Sequence, residues 1–249
     1  MERLSIEVTR RCGKGCWFCY NGSHPSGDTT WTARELIAFV RDCAQHGTRA
    51  VSLGGGEPLE FEGLIPTLEG LRGHVFRSIT TNGLQLDDTW IERLAAVGLE
   101  KAHVSIHFPR SRREVERVIR QVHQLDDAGI RSGVNLLVSR KDHGAARRAS
   151  QALLDAGIDR SRIVYLPMRM RDTPTPAEVA HVAGTDRFQS MSCLTGCRSS
   201  PRFCSISWDR RVGWCSYTTA RRRLESPTAR ALGQCLDGLG LTFCGPDHG

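Results

Sequence analysis

The residues in this sequence best suited to chemistry are its ten cysteines, nine of which fall into two groups. Cys12, Cys16 and Cys19 sit within a stretch of eight residues near the start. Cys193, Cys197, Cys204, Cys215, Cys235 and Cys244 all follow residue 190. Cys43 stands alone among Phe39, Val40 and Ala44 in a helical pattern and reads as core. Disulfides on this scale call for an oxidising compartment, and the opening Met1-Glu2-Arg3-Leu4-Ser5 lacks the apolar stretch of a secretory signal. Clustered thiols in a reducing compartment point instead to metal. Three thiolates as close as Cys12, Cys16 and Cys19 can converge on one face of an iron–sulfur cube, with Gly13 and Gly15 letting the backbone wrap it. Such a set leaves the fourth iron without a protein ligand, open to a cofactor or substrate. The competing reading is a zinc site, usually four-coordinate and built from paired thiols at shorter spacing. The third thiol at this offset, with an aromatic residue beside Cys19, favours the cluster.

The elements that must position these thiols are legible as alternating patterns. Short β-rich runs are expected at Leu4–Val8, Ala50–Leu53, Phe76–Thr81, Lys101–His107, Val134–Val138 and Ile163–Leu166. Between them, Thr32–Gln45, Leu64–Leu71, Asp87–Ala96, Arg113–Ala128 and Ala145–Ala156 carry helical spacing of apolar residues. Several of these helices close on a glycine, as at His46-Gly47 and Val97-Gly98. Six strand–helix units predict an α/β fold with a parallel sheet curled into a barrel or part of one. Chemistry in such folds collects at the C-terminal ends of the strands. Cys12 begins just past the first strand, and Gly54-Gly55-Gly56-Glu57-Pro58 follows the second. Thr80-Thr81-Asn82-Gly83 ends the third, and Ser105 and His107 close the fourth. Asn135 lies in the fifth, Arg140 follows it, and Pro167-Met168-Arg169 ends the sixth.

Cys-x3-Cys-x-aromatic-Cys after a first strand resembles the signature of the radical S-adenosylmethionine (radical SAM) superfamily, over roughly residues 3–168. The resemblance implies a partial (β/α)6 barrel, matching the six units read independently from periodicity. It implies a [4Fe–4S] cluster on Cys12, Cys16 and Cys19, with S-adenosylmethionine chelated to the open iron and reductively cleaved to a 5′-deoxyadenosyl radical that takes hydrogen from a substrate. The cofactor would carry the difficult chemistry and the protein would supply orientation and shielding. Residues 55–58 resemble the family's Gly-Gly-Glu-Pro motif, so Gly55, Gly56, Glu57 and Pro58 are expected at the methionine amino group. Tyr20, Asn82, Ser105, Asn135 and Arg140 match or lie near positions that contact S-adenosylmethionine in the family, and Arg–carboxylate pairing gives Arg140 a physical rationale. His107 is a proton carrier, a substrate contact or a hydrogen-bonded structural histidine.

After Pro167 the alternation stops. Asp172-Thr173-Pro174-Thr175-Pro176 reads as a linker or turn, a short helical stretch follows near Ala177–Ala183, and the segment from Ser192 shows little periodicity. The expected division is a core of 1–170 and a cysteine-rich extension of 171–249. A piece that small usually needs a metal or disulfide staple. Ile206 to Cys215 reads as a β-hairpin delivering a cysteine. This resembles the twitch and SPASM extensions of some radical SAM enzymes, which hold an auxiliary cluster. Those extensions usually carry glycine at the hairpin turn where this chain has Arg210-Arg211, and the closing Cys-x2-Cys is absent. A second [4Fe–4S] cluster is expected on Cys193, Cys204, Cys215 and Cys235, with Cys197 and Cys244 as substitutes. Zinc, free thiols, or a cysteine such as Cys197 donating a hydrogen atom are the alternatives.

Composition is ordinary, at 39% hydrophobic and 24% charged, and the formal charge is +7. All but three of the basic residues are arginine, spread along the chain apart from Arg221-Arg222-Arg223, with no aromatic-interleaved stripe of the kind that binds nucleic acid. A basic surface suits an acidic electron donor of flavodoxin or ferredoxin type. No apolar run approaches the roughly 20 residues of a membrane span, and a cytoplasmic protein is expected. The resemblance implies oxidation, epimerisation or bond formation on a small molecule in natural-product biosynthesis, or modification of a ribosomally made peptide. Short family members with such extensions include one that oxidises an aminocyclitol alcohol, and the near-absence of sequence before the first strand favours a small molecule or a peptide presented by another protein. A non-catalytic iron–sulfur carrier or sensor is the alternative of another class, and the Gly-Gly-Glu-Pro turn argues against it.

Overall fold

The computed structural model describes residues 1–169 and 172–242. Strands and helices alternate as β1 (Arg3–Thr9), α1 (Ala33–Gln45), β2 (Ala50–Gly55), α2 (Leu64–Gly70), β3 (Phe76–Thr81), α3 (Asp88–Ala96), β4 (Lys101–Ile106), α4 (Arg112–Asp127), β5 (Arg131–Val138), α5 (His143–Asp155) and β6 (Ile163–Pro167). Each lies close to where periodicity places it. The chain continues as α6 (Pro176–Ala183), α7 (Met191–Thr195), β7 (Phe203–Ile206), β8 (Arg211–Gly213), β9 (Arg222–Arg223) and α8 (Ala229–Leu236). Two compact units result: Met1–Ala102 with Arg198–Thr242, and His103–Cys197.

In the first unit the sheet runs β3-β2-β1-β7-β8-β9. Strands β3, β2, β1 and β7 are parallel, and the hairpin β7-β8 is antiparallel, as is β8-β9. Side chains alternate across the sheet. Leu4, Ile6, Val8, Val51, Leu53 and Ile79 are all buried on one face. The register puts Ser205, Ser5, Ser52 and Ser78 in one row on the opposite face, where Ser5, Ser52 and Ser78 are only half-buried. That face is polar and built from small side chains, which leaves room above it. In the second unit β5 and β6 pair in parallel from Val134↔Ile163 to Val138↔Pro167.

Helix α1 starts at a capping box, in which Thr32 receives the Glu35 N–H and Glu35 returns to the Thr32 backbone, and it buries Leu36, Phe39, Val40 and Cys43. Strand β3 is held by Arg77, 1% exposed. Its guanidinium grips Glu100 at 2.9 and 3.0 Å, the Val97 carbonyl at 3.0 Å and the carbonyls of Leu68 and Gly98. Removing one partner of such a buried pair costs about 3–5 kcal/mol, so β3 presents Thr81 and Asn82 from a fixed base.

The segment beyond Ser192 is more regular than its sequence suggests. Helix α8 is capped by Thr228 and buries only Leu232 and Leu236, two apolar positions that show little of a period. The expected hairpin forms, and Arg210 takes φ 63°, a conformation no other non-glycine residue adopts among those described. An arginine thus occupies the left-handed turn position that glycine fills most cheaply. Its guanidinium reaches Glu35 Oε1 at 2.7 Å and the Thr30 carbonyl, and lies 4.8 Å over the Trp31 ring.

Candidate functional site

The loop after β1 folds back on itself before it reaches α1. The Arg10 N–H donates to Asp28 at 2.8 Å, and that of Cys12 to His24 at 3.0 Å. The Cys19 N–H closes a turn onto the Cys16 carbonyl at 3.1 Å. Cys12, Cys16 and Cys19 are all half-buried, so their thiols are neither sealed in the core nor freely solvated. The loop is tied to the glycine-rich turn after β2: the Gly56 N–H donates to Thr9 and the Glu57 N–H to Arg11, both at 2.7 Å. A Cβ at Gly56 would meet the Arg11 carbonyl oxygen at 2.1 Å, so only glycine permits that approach. The Gly13 N–H in turn donates to Glu60 Oε1 at 2.9 Å, and Asn82 Nδ2 lies 3.5 Å from Cys12 Sγ.

Glu57 is the keystone of this arrangement. Its carboxyl is 0% exposed and accepts from Thr81 Oγ1 at 2.6 Å, from the Asn82 N–H at 2.7 Å and from the Leu59 N–H at 3.2 Å. Burial pushes it up to about 7 despite these three donors. The Cys12 thiol is raised as well, chiefly by burial and further by the charges of Glu57 and Glu60. Metal binding must therefore supply the free energy that deprotonates it.

The remaining expected residues are placed as follows. Tyr20 is 46% exposed, with its ring 4.9 Å from that of Tyr217; local burial and the nearby Glu7 charge hold its phenol well above the ordinary tyrosine range. Ser105 is buried and Asn135 half-buried. His107 is half-buried, and its N–H donates to Glu114 Oε1 at 2.6 Å. Arg140 is exposed and faces Glu178 at 3.6 Å, so a protein carboxylate already engages it.

The later described cysteines are shared between the two units. Cys193 is exposed and Cys197 half-buried, both in the second unit, whereas Cys204, Cys215 and Cys235 belong to the first. Cys204 is 0% exposed in β7, near Cys43, and burial pushes each of these two thiols up to about 12. A thiol there packs as a small apolar group. Cys215 Sγ accepts from the Tyr217 N–H at 3.2 Å, and Cys235 Sγ donates to the Arg223 carbonyl at 3.3 Å. Cys244 lies outside the described residues. Among the described residues no group of three His, Cys, Asp or Glu side chains is arranged to hold a single metal ion; a cube needs its three thiolates spread over separate corners. Sequence reasoning missed Glu7, Glu60 and Tyr217. The signal for Glu7 was present, as a carboxylate between Ile6 and Val8 in an otherwise apolar strand.

The model of the radical SAM superfamily matches residues 6–172. The chain belongs to the radical SAM superfamily. Family membership implies a [4Fe–4S] cluster and S-adenosylmethionine, and the residues present fit both: three half-buried thiols on one loop, locked to a glycine turn that allows close backbone approach. The chain is 35% identical over 106 residues to the probable GTP 3′,8-cyclase of Methanopyrus kandleri, covering 43% of this chain and 34% of that protein. It is 24% identical over 177 residues to the probable GTP 3′,8-cyclase of Sulfurisphaera tokodaii, covering 67% and 56% respectively. The chain thus spans from a third to somewhat over half of the curated relatives it matches. Among solved structures it is similar to Streptococcus suis SuiB bound to S-adenosylmethionine, with TM-score 0.66 and 16% identity over 86% of this chain and 60% of SuiB. It is also similar to anSMEcpe with bound AdoMet, with TM-score 0.66 and 14% identity over 93% and 80%. At such identities these likenesses show the fold: α/β with a parallel sheet, of radical SAM type. The chain is an enzyme of that superfamily. Among the described residues no helix is long and apolar enough to cross a membrane.

Proposed function

We propose that Cys12, Cys16 and Cys19 hold a [4Fe–4S] cluster whose fourth iron binds S-adenosylmethionine, and that the chain abstracts hydrogen from a substrate to oxidise, epimerise or join it in natural-product biosynthesis. The observation that carries this reading is the double tie of Gly56 and Glu57 to Thr9 and Arg11, which binds the thiol loop and the Gly-Gly-Glu-Pro turn into one body. When bound, the pair supplies a 5′-deoxyadenosyl radical by one-electron cleavage of the sulfonium. The protein's part is to orient and to exclude water. Glu57 fixes Asn82 and Thr81 against the loop, leaving the backbone of Gly55 and Gly56 to receive the methionine amino group. Tyr20, Pro58, Ser105, Asn135 and Arg140 complete the proposed cofactor contacts, with Arg140 exchanging Glu178 for the methionine carboxylate. His107 and Cys197 are the proposed carriers of a proton and a hydrogen atom.

An auxiliary cluster is proposed for the 171–249 extension as a twitch-like or SPASM-like element. Burial of Cys204 leaves its thiol without an open side, which favours Cys193, Cys215 and Cys235 with Cys197 or Cys244. The net charge of +7 suits a flavodoxin- or ferredoxin-type donor in the cytoplasm. A peptide substrate is the second reading, supported by a fold shared with SuiB bound to the precursor peptide SuiA.

The test is iron and sulfide per chain after anaerobic reconstitution, with 5′-deoxyadenosine formed on adding dithionite and S-adenosylmethionine. About eight irons falling to about four in the Cys12/Cys16/Cys19→Ala variant, with cleavage abolished, establishes two clusters and locates the reactive one. About four falling to none leaves a single cluster. Iron that ignores the triple substitution, or wild type that cleaves nothing, refutes the assignment and returns the chain to the carrier class.

A further inference from the structure

The proposed chemistry leaves one buried ionisable group unused. Glu7 lies in β1 on the same face as Ser5, opposite Gly54 of β2, one step from the thiol loop. It is 2% exposed. Asn21 Nδ2 approaches its Oε2 at 3.5 Å, and Oε1 is buried with no hydrogen-bond partner. A buried carboxylate oxygen left unpaired carries a desolvation penalty that native folds rarely tolerate without a reason. Burial raises the Glu7 carboxyl, outweighing the charge of Arg221 and the hydrogen bonds that Asn21, the Tyr20 phenol and the Trp208 backbone make to the carboxyl.

Arg221 is the obvious internal counter-ion, yet it does not serve as one. Its Nε donates to the Thr218 carbonyl, Nη1 to Arg211, and Nη2 to Cys215 and Ser216. Its charge is felt at Glu7, but four of its five N–H donors are spent on carbonyls. The surroundings of Glu7 also leave space. A Cβ built on Gly54 meets nothing closer than Thr80 Cβ at 4.0 Å, and the row below consists of serines. On the other side stand two aromatic rings, Tyr20 and Tyr217, 4.9 Å apart and tilted by 53°. Tyr20 is half exposed, so it is the solvent-facing member of this group. Asn21, which touches Glu7, also accepts from Cys19 Sγ at 3.0 Å. The Glu7 carboxyl is therefore one side chain away from a proposed cluster ligand.

We propose that Glu7 is the substrate anchor, a positioning residue that receives a protonated amine of the substrate between Gly54 and the Tyr20–Tyr217 pair. An ammonium provides the donor that Oε1 lacks and the countercharge that a desolvated carboxylate needs, and aromatic faces attract cations. This assignment rests on the reading that residues 12–19 hold the reactive cluster. The substrate class it names is an amine, held with its neighbouring carbon toward that loop.

The probes are 4-fluorobenzylammonium and 4-fluorobenzyl alcohol, alike in shape and different in charge, titrated by fluorine NMR into the reconstituted chain. The amine is expected to bind wild type at least about tenfold more tightly than the alcohol. Glu7→Gln is expected to abolish that preference by weakening the amine alone, and Glu7→Asp to retain it. Equal binding of the two probes, failure of both to bind, or an amine preference that survives Glu7→Gln each overturns the assignment. Iron content and melting temperature show whether Glu7→Gln is folded, and Glu7→Asp keeps the test decisive if it is not. Dithionite-driven cleavage of S-adenosylmethionine without substrate is measured in parallel. Its absence in wild type defeats the proposed function, while equal binding of the two probes by wild type, or an amine preference that survives Glu7→Gln, with cleavage intact defeats only the anchor.

Discussion

Glu57 sets two opposing effects against each other in one buried group, and a pair of proteins can decide between them. Three donors converge on its carboxyl and favour the ionised form, while complete burial favours the neutral one. With the carboxyl pushed up to about 7 from an ordinary 4.5, burial wins. An acid raised on folding contributes stability that is fully present below its unfolded value and is lost as pH climbs through its folded value. Over the interval from pH 5 to pH 8 the loss is about 2.5 kcal/mol at 1.36 kcal/mol per unit. For a chain of this size that corresponds to roughly 5–10 °C in melting temperature. Glu57→Gln removes the titration and keeps the shape, so wild type should lose about 2.5 kcal/mol relative to Gln across that interval, whatever the offset between them. Urea unfolding of the metal-free, reduced proteins at several pH values reads the difference directly, because other titrating groups cancel. Parallel profiles, with a gap that changes by less than about 0.5 kcal/mol, would refute the reasoning and show that the three donors outweigh burial.

Gly56→Ala forces a methyl group onto the Arg11 carbonyl; a stability loss of about 1–3 kcal/mol and a reconstituted iron content below half of wild type are expected, and wild-type iron would show that the contact does not shape the thiol loop. Cys43 and Cys204, with thiols near 12, should resist iodoacetamide at pH 8 in the native metal-free chain and react only after denaturation, as mass mapping would reveal; Cys204→Ala should keep its iron. Arg210→Ala retains the φ 63° backbone and loses the contacts to Glu35, Thr30 and Trp31. Arg210→Gly loses the same contacts but relaxes the backbone, so it should be more stable than Arg210→Ala by about 1 kcal/mol in urea unfolding; equal stabilities would mean that the turn carries no strain.

How much of this was legible beforehand follows from the range of each interaction. The thiol loop, the glycine turn after β2 and the alternation of strands with helices are written in covalent spacing and in periods of two and 3.6 residues, which any short window reveals. That Cys43 is core followed from its helical neighbours for the same reason. Helix α8 was missed because only Leu232 and Leu236 mark its buried side, and the hairpin turn departed from its glycine pattern because Arg210 has Glu35 and Trp31 to hold it, residues far away in sequence.

The sequence by itself determined the class of chemistry, because three thiols fall within one loop of eight residues, and it determined the elements that carry them. Tertiary structure decided everything that depends on which strand lies beside which. Strand β7 pairs with β1, bringing Cys204 level with Leu4 and burying its thiol. The same register sets Glu7 against Gly54, while Arg221 spends four of its five N–H donors on carbonyls, leaving one carboxylate oxygen unpaired. Burial and partnership are properties of neighbours, and in a parallel sheet those neighbours come from distant parts of the chain.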